Sequence, residues 1–408
     1  MKRFLPLIGV LLLSCSGNEQ VGDVYRGWKS GEMDIHHIYT GHGEANFLIL
    51  PDGTSMLIDT GDHDPAYEVF PYMTKPMPDN SRRAGEWVAR YIERVNPHKN
   101  KVDYMMLSHF HEDHMGSMSS NGEMTSGRNP DYKLVGLAQV GEWIQFGKAY
   151  DRGYPNYNYP KPISDTHIEN YRAFLKYHAA KYGMQQEKFE VGALNQIALC
   201  HKPEKYAGSF SIRNLASSGE VWDSKSNTTT KYYDLNPGNI EGSLNENTCS
   251  MAIRIDYGNF SYYTGGDLTW GVNESEGNYV YLEAKAGEAC GEVDVCKSNH
   301  HAYADSMIEG FLDAVKAKHY INCTWDLQHT QPKILKRMLS KSDCTIFHQY
   351  LWPEQMQKHQ GEEWTNKVIE QGHIVVKAYD KGRKYKIYIL SAEDEQMRIK
   401  AIYGPYEA

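Results

Sequence analysis

The amino-acid sequence predicts a layered α/β fold made of two β-rich halves. Short runs of β-branched and aromatic residues bounded by turn residues occur within residues 33–107 and again within 210–298. Within residues 307–348, stretches with helical spacing of apolar residues alternate with strands, which is the rhythm of a layered α/β domain. Gly, Asn, Tyr and Pro interrupt these patterns over much of residues 117–208. We therefore expect a sandwich of two sheets interrupted by an insertion.

The individual elements follow from local patterns. Predicted strands cover residues 33–39, 45–50, 55–59, 102–107, 210–215, 249–257, 259–264, 293–298, 319–323, 344–348, 374–379 and 385–390. Predicted helices cover residues 83–95, 168–182, 307–317 and 333–339. Pro51-Asp52-Gly53 and Tyr257-Gly258-Asn259 are turn signals, so we expect hairpins at both places.

Composition excludes several classes of protein. Hydrophobic residues make up 40% and charged residues 23% of the 408 residues, which is ordinary for a globular protein and excludes a disordered chain. The formal net charge of −9 provides no basic field that would attract a phosphate backbone, so we expect no long nucleic acid as a partner. Beyond the N-terminal segment, no stretch approaches the ~18 apolar residues that a membrane-spanning helix needs.

The N-terminal segment has the pattern of an export signal. Met1-Lys2-Arg3 precedes an apolar run over residues 4–13, which is too short for a stable membrane-spanning helix. The run leads into Leu12-Leu13-Ser14-Cys15, which resembles the lipobox of bacterial lipoproteins and implies that Cys15 is lipidated. A simple secretory signal is the alternative. We therefore expect an exported lipoprotein, anchored to a membrane on the periplasmic or cell-surface side.

The predicted organisation has four parts. They are a lipoprotein signal peptide (residues 1–15), a polar linker (16–32), a main domain (33–392) with an insertion at about 120–208, and a C-terminal tail (393–408). Six cysteines follow Cys15, and no spacing among them resembles a zinc knuckle. Cys249, Cys296 and Cys323 lie in apolar runs, so we expect them to be buried free thiols.

The strongest chemical signal is the run Ser108-His109-Phe110-His111-Glu112-Asp113-His114 at the end of a predicted strand. Residues two apart on an extended strand exit point the same way, so His109 and His111 can bind one metal ion together. The chain then turns into a helix start, where Asp113 and His114 can face a second metal ion. Imidazole and carboxylate ligands suit zinc, iron or manganese in a hydrolytic site. The alternative is a set of surface or helix-capping histidines.

Three further motifs carry candidate site residues. Thr264-Gly265-Gly266-Asp267 ends a predicted strand, and Asp267 could bridge two metal ions through its carboxylate oxygens. Ser298-Asn299-His300-His301 ends another strand, where one ring can bind metal and the other can act as a proton donor. Asp59 ends a third strand and could be a buried acceptor that holds the histidine loop. For both aspartates, an ordinary turn is the alternative.

These motifs resemble those of the metallo-β-lactamase superfamily. Within it, they are most similar to the branch that includes the hydrolase domain of ComEC-type competence proteins and the phosphorylcholine esterase of choline-binding surface proteins. The similar segments are residues 39–45, 57–61, 109–114, 263–267 and 295–301. The resemblance covers roughly residues 33–390 without most of 120–208, and it implies an αββα sandwich with the site along one edge between the sheets. Residues 33–392 would then be a hydrolase domain with an insertion.

The resemblance also implies roles for the site residues. It assigns His109 and His111 to a first metal ion, Asp113 and His114 to a second, and Asp267 to the bridge between them. One of His300 and His301 matches the last ligand; we favour His301, which leaves His300 as the candidate general acid. We expect two divalent metal ions, with zinc the first choice and manganese or iron the alternatives.

One position departs from the superfamily pattern. Members with a complete first site have a third histidine just before the strand that follows the insertion, and the matching register, counted back from Ser250, falls on Glu246. If Glu246 is a ligand, its charge and oxygen donors shift the preference from zinc toward manganese or iron. Otherwise the first ion is held loosely or is absent. The histidines of the insertion that could substitute are His167, His178 and His201.

The residues after the histidine pair also differ. Superfamily members commonly have Gly-Ser there, whereas this chain has Ala302-Tyr303. Tyr303 is therefore a candidate for the rim of the substrate site, and Trp270 is a second aromatic candidate.

The expected activity is metal-assisted hydrolysis, most simply of a phosphodiester or another phosphoryl ester. Asp113 would orient or deprotonate the attacking water, and His300 would protonate the leaving group. A carboxylic ester, lactone or amide hydrolase on the same fold is the first alternative, and a surface-tethered binding lipoprotein with reduced catalysis is the second. The expected partners are a small-molecule or surface-polymer substrate and, through the lipid anchor only, a membrane; the sequence does not indicate an oligomeric state.

Overall fold

The computed structural model of the chain describes residues 19–63, 73–118, 131–235, 244–269, 271–275, 278–327, 329–341 and 343–408. The first sheet of this part contains β1 (Met33–His37), β2 (Asn46–Ile49), β3 (Ser55–Ile58), β4 (Lys101–Leu107), β5 (Gln145–Asp151), β6 (Gln185–Gln186), β18 (His373–Tyr379), β19 (Lys384–Leu390) and β20 (Ile399–Glu407). The second sheet contains β7 (Phe210–Ser217), β8 (Glu220–Asp223), β9 (Thr228–Lys231), β10 (Ala252–Tyr257), β11 (Phe260–Thr264), β14 (Val295–Lys297), β15 (His319–Asn322), β16 (Thr345–His348) and β17 (Val368–Glu370). A separate ribbon pairs β12 (Gly271–Ser275) with β13 (Asn278–Tyr281).

The strand order places both chain halves in defined sheets. The first sheet runs β20-β19-β18-β1-β2-β3-β4-β5-β6, and the second runs β17-β16-β15-β14-β11-β10-β7-β8-β9. The helices are α1 (Ala84–Val95), α2 (Glu112–Met115), α3 (Gly136–Val140), α4 (Thr166–Tyr182), α5 (Tyr232–Leu235), α6 (Leu282–Cys290), α7 (Glu309–Val315), α8 (Pro332–Lys341) and α9 (Pro353–Lys358).

The two sheets pack face to face with helices outside. The layer between them joins residues of both sheets, such as Leu48 and Met56 with Ile253 and Val295. Adjacent residues on one strand point to opposite faces, so Phe47 instead joins the apolar layer under α1 and α4. On the other side, α6, α7 and α8 cover the second sheet. This αββα order confirms the predicted fold class.

Parallel pairing brings the chemical motifs to one edge. β3 pairs in parallel with β4, and β11 pairs in parallel with β14. The carboxyl ends of parallel neighbours lie at the same edge of a sheet. Asp59, the histidine run, Asp267 and His300-His301 all follow these ends and therefore lie close together.

The predicted tail is part of the first sheet. Within residues 393–408, β20 pairs antiparallel with β19, so this prediction was wrong. Gly404-Pro405 interrupts the strand pattern in the sequence. An edge strand tolerates a proline because one side of it needs no hydrogen-bond partner.

The predicted linker and insertion also contribute to the domain. Of the linker, residues 19–32 are described, and Tyr25 is buried with its hydroxyl donating to Asp34 at 2.6 Å. Of the insertion, β5 extends the first sheet beside β4, and α4 packs onto that sheet. The insertion contributes many apolar side chains to the core, among them Leu137, Phe146 and Phe174.

The remaining predictions concern the cysteines and membrane segments. All six cysteines of the described part are free, and Cys249, Cys296 and Cys323 are buried, as predicted. Among the helices of the described residues, none is long and apolar enough to cross a bilayer. Cys15 and the predicted signal peptide lie outside the described residues.

Candidate metal centre

The histidine run is anchored by Asp59 at the end of β3. One oxygen of the Asp59 carboxylate accepts from the Ser108 backbone N–H at 2.7 Å, and the other accepts from the Ser108 hydroxyl at 2.7 Å. The second oxygen also lies 2.8 Å from Nδ1 of His114. A carboxylate in this place keeps the proton on Nδ1, so the Nε2 lone pair of His114 is available for a metal ion.

Two glycine-containing loops pack directly on the short helix α2. The Glu44 backbone N–H donates to the Asp113 carbonyl at 2.8 Å, and the Gly61 N–H donates to the Glu44 carbonyl at 2.9 Å. A side chain at Gly43 or Gly61 would collide with the Asp113 backbone. The small residues of these loops therefore allow the close approach that positions Asp113 and His114.

Four buried side chains converge beside this helix. His301 Nε2 lies 3.0 Å from Asp113 Oδ2 and 3.3 Å from Asp267 Oδ2, and His114 Nε2 lies 3.1 Å from Asp267 Oδ1. His114 Nε2 and Asp267 Oδ1 face each other without the alignment of a hydrogen bond, and neither has a hydrogen-bond partner among the described residues. Two imidazoles and two carboxylates, with these two atoms left unsatisfied, are a donor set that fits a divalent cation. We call Asp113, His114, Asp267 and His301 the closed half of the site.

Outside contacts fix the ligands of the closed half. His301 Nδ1 lies 2.7 Å from the Cys323 carbonyl, which keeps its proton there and directs Nε2 into the site. The Trp325 indole N–H donates to Asp113 Oδ2 at 2.9 Å. The possible ligand atoms that lie within 4.8 Å of one another belong to Glu44, His114, Asp267 and His301. The Glu44 carboxylate also pairs with Lys297 Nζ at 2.7 Å.

The backbone that presents His301 is unusual. His300, His301 and Ala302 all have left-handed conformations, with φ of 43°, 51° and 56°. L-residues adopt this conformation at a cost. The two adjacent rings face different parts of the site, with His301 against Asp113 and Asp267 and His300 against Asp305.

The electrostatics of the closed half favour positive charge. Burial by itself would lower the pKa of His301, but the neighbouring carboxylates of Asp267 and Asp113 raise it to about 10. Burial likewise opposes protonation of His114, and the same carboxylates together with Asp59 raise its pKa well above the ordinary value. Without a cation, both rings would hold protons at neutral pH. A bound divalent ion supplies the same positive charge.

The second part of the site contains His109 and His111, and we call it the open half. His109 Nε2 lies 3.2 Å from His111 Nδ1 and 3.9 Å from Asp267 Oδ2, so Asp267 stands between the two halves as a bridge would. Burial lowers the pKa of His109 well below its ordinary value, which keeps this ring neutral. His111 is half-buried and borders a cleft.

Glu246 does not face the metal-binding residues. Its Oε1 accepts from the Phe110 backbone N–H at 2.9 Å and from Arg152 Nε at 2.6 Å, and its Oε2 pairs with Arg152 Nη2. The Arg152 side chain is fully buried. Moving Glu246 onto a metal would leave that guanidinium buried and unpaired, which costs on the order of 3–5 kcal/mol. The arrangement therefore favours a role for Glu246 in holding the histidine loop.

His300 lies between the open half and a carboxylate. Its Nδ1 is 2.6 Å from Asp305 Oδ1, and its Nε2 is 3.2 Å from Asn247 Nδ2 and 3.9 Å from Asp267 Oδ2. Asp305 thus orients the ring in the way a carboxylate orients a catalytic imidazole.

One stretch of the chain that contributes to the site is similar to a known protein family. Residues 40–119 match the family model for the Metallo-beta-lactamase superfamily. Residues 40–119 are therefore similar to this superfamily. This segment contains Asp59 and the whole histidine run, which are the residues that form the first sheet's contribution to the site. Assignment to the ComEC-type or phosphorylcholine esterase branch stays a prediction.

Two solved structures are similar to the chain at low sequence identity. A single-residue mutant of the CmlA β-hydroxylase is 12% identical over 78% of this chain and 52% of that chain, with a TM-score of 0.42. The metallo-β-lactamase fold protein YhfI from Bacillus subtilis is 12% identical over 85% of this chain and all of that chain, with a TM-score of 0.34. The chain therefore spans about half the length of the hydroxylase chain. No curated protein matches the sequence.

Residues 40–119 border a cleft of about 370 Å³, large enough for a small molecule. Its lining residues are His63, Phe110, His111, Glu112, Asp113, Asp165, His167, Asn247, Asp267, His300, Trp325 and His329. Asp165 and His167 come from the start of α4, so the insertion forms one wall. A larger, mainly apolar cleft of about 460 Å³ beside Ile308 and Arg337 contains none of the metal-ligating residues.

The remaining site residues predicted from the sequence do not lie in the metal centre or its cleft in the described part of the structure. His178 packs against Phe174 inside the helix layer, and His201 stacks on His98 near Asp103. Neither reaches the site. Tyr303 contacts the rings of His300 and His329 but does not line the cleft. Trp270 lies outside the described residues.

Several site residues carry no signal in the sequence. Trp325 and His329 follow β15 without a motif, yet Trp325 binds Asp113 and the His329 ring stacks on His301 at 4.7 Å. Asn247 directly follows Glu246, the position that the superfamily register indicates. A search that also included the neighbouring positions would have identified Asn247. Lys297 directly precedes the Ser298-Asn299-His300-His301 motif, but its pairing with Glu44 requires the fold.

Proposed function

We propose that this chain is a metal-dependent hydrolase that cleaves a phosphodiester or a related phosphoryl ester. The main support is the closed half of the site, where two buried imidazoles and two buried carboxylates meet at the edge of a cleft and His114 Nε2 and Asp267 Oδ1 have no hydrogen-bond partner among the described residues. The superfamily match of residues 40–119 supports the same chemistry, because it spans the histidine run.

The chain offers two groups of ligands for divalent cations. Asp113, His114 and His301 would hold one ion and His109 and His111 another, with Asp267 shared between them. When bound, such ions lower the pKa of a water molecule toward neutrality and polarise the oxygen of the scissile group. We propose zinc as the first choice and manganese or iron as alternatives.

The chain's own residues would position the reactants and move protons. Asp113 Oδ2 accepts from the Trp325 indole N–H, which leaves Oδ1 to orient or deprotonate water. His300, held by Asp305 and lining the cleft, can deliver a proton to the leaving oxygen.

The phosphodiester is preferred because a pair of cations clamps the attacking and leaving oxygens of a phosphoryl group. Imidazoles on the cleft wall, His63 and His167 among them, can donate to the non-bridging oxygens when protonated. A carboxylic ester, lactone or amide would use the same cations, so the substrate class has to be decided by assay.

The test combines metal analysis with turnover of three substrate classes. Purified protein should contain metal, and it should hydrolyse bis(p-nitrophenyl) phosphate faster than a p-nitrophenyl ester or a lactone when loaded with zinc or manganese. Chelation should abolish turnover, and the metal ion should restore it. Faster cleavage of the ester or lactone would show that the substrate is a carboxylic ester or lactone and not a phosphodiester. Less than about one bound metal ion per chain, without metal-stimulated turnover, would favour a binding lipoprotein.

We also propose that the protein acts as an exported lipoprotein with Cys15 lipidated, on the basis of the N-terminal sequence. Full-length protein expressed in a bacterium should then partition with membranes, and the Cys15→Ser variant should not. Equal partitioning of both proteins would overturn the lipid anchor without touching the hydrolase assignment.

A further inference from the structure

We propose that Asn247, and not Glu246, supplies the missing ligand of the open half through its side-chain carbonyl oxygen. This inference rests on the proposed metal-dependent function and specifies how the first ion would be held. It follows from where the segment lies, where the two neighbouring side chains point, and how the Asn247 amide is oriented.

The segment that carries Asn247 is fixed between the ligand loops. Residues Glu246–Cys249 form a single 3₁₀ turn. Just after it, the Met251 N–H donates to the Ser108 carbonyl at 3.0 Å, and the Ser250 hydroxyl accepts from the Asp267 N–H at 3.1 Å. The turn is thus tied both to the strand end that bears His109 and to the loop that bears Asp267.

Neighbouring side chains on this turn point in different directions. Both oxygens of Glu246 pair with Arg152, as described above. The Asn247 side chain instead lines the cleft with His111, Asp267 and His300, although the residue is only 6% exposed. A third ligand taken from this turn therefore comes from Asn247.

The orientation of the Asn247 amide follows from His300. The Asn247 amide nitrogen lies 3.2 Å from His300 Nε2. On its other side, the His300 ring is held by Asp305 Oδ1 at 2.6 Å from Nδ1. The amide oxygen then faces away from His300.

That oxygen is buried and has no hydrogen-bond partner among the described residues. A buried carbonyl oxygen without a partner is unfavourable, and a cation held by His109, His111 and Asp267 would satisfy it. His300 would then act on this half as a positioning residue that keeps the amide turned. An amide oxygen in place of an imidazole also makes the donor set harder, which favours manganese or iron over zinc at this half.

The test measures metal stoichiometry and affinity instead of activity. Wild-type protein should bind two equivalents of Mn²⁺ or Zn²⁺ in a titration against a chelating indicator. Asn247→Leu, which keeps the size but removes the oxygen, should retain the tighter equivalent and weaken the other by at least about 10-fold. Asn247→Asp, which keeps an oxygen, should retain both.

Asn170→Leu is the matched control, because it makes the same change at a buried asparagine whose amide bonds the Lys133 backbone away from the metal ligands. This variant should still bind two equivalents. The inference is overturned if Asn247→Leu binds both ions as the wild type does, or if Asn170→Leu loses the weaker ion to the same extent. One equivalent in the wild type overturns the inference alone, whereas no bound metal overturns the proposed function with it.

Discussion

The closed and open halves of the candidate metal centre differ in how firmly the protein holds their ligands. In the closed half, the Asp59 carboxylate holds His114, the Cys323 carbonyl holds His301 and the Trp325 indole holds Asp113. In the open half, His109 has only a hydroxyl beside its Nδ1, that of Ser108 at 3.1 Å, and His111 borders the cleft. A ligand that is held before binding loses less freedom when a metal binds. The two halves should therefore bind metal with unequal affinity.

The largest effect should come from removing a ligand of one half at a time. His114→Ala removes a ligand from the closed half and exposes two buried carboxylates to each other, so we expect loss of the tight metal equivalent. Turnover should fall on the order of 1,000-fold, because a catalytic cation contributes several kcal/mol to the barrier. His111→Ala should lose only the weaker equivalent. Equal loss of metal in both variants, measured by elemental analysis after dialysis, would contradict the unequal halves.

A smaller effect should appear in the pH dependence of metal binding. The raised pKa of His301, about 10, and of His114 mean that both rings must lose protons before the closed half binds a cation. Affinity should therefore rise with pH below about 10, by up to about 100-fold per pH unit if two protons leave. His109 has a lowered pKa and releases no proton near neutrality, so the open half should change less. Titrations at pH 7, 8 and 9 measure both slopes, and equal slopes would refute this difference.

The smallest effect should come from the contact that holds His114. Asp59→Asn keeps the shape of the side chain but loses the carboxylate that fixes the tautomer, so the closed half should bind metal about 10–100-fold more weakly. Asp103→Asn is a matched control, because Asp103 accepts from the N–H and hydroxyl of Ser55 as Asp59 does from Ser108, but away from the site. A similar loss of affinity in both variants would show that the effect of Asp59 is one of general stability.

The strands that lead to the site could be predicted from the sequence, because each is a short local pattern. The strands before Asp59, His109, Asp267 and His300 were predicted because each is a compact β-prone run, and the motifs mark their ends. The closed half could therefore be named residue by residue before its geometry was known, although the metal itself is still a prediction. The fold class followed from the same runs.

Features that depend on contacts between distant segments of the chain could not be predicted from the sequence. The strand β5 and the edge strand β20 lack a strong apolar pattern because each depends on a neighbour that is already in the sheet. Glu246 matched the superfamily register, but its partner Arg152 lies 94 residues away and redirects it. Asn247 was missed because a 3₁₀ turn moves the inward-facing position by one residue, which a strand-based register does not anticipate.

The left-handed backbone of His300, His301 and Ala302 affects the stability of the fold. Each such residue costs on the order of 1–2 kcal/mol relative to an ordinary helical or extended one. A glycine at position 302, which bears no ligand, would relieve part of that cost and make the fold more stable. Engineering for heat resistance could therefore begin at this residue without altering either ring.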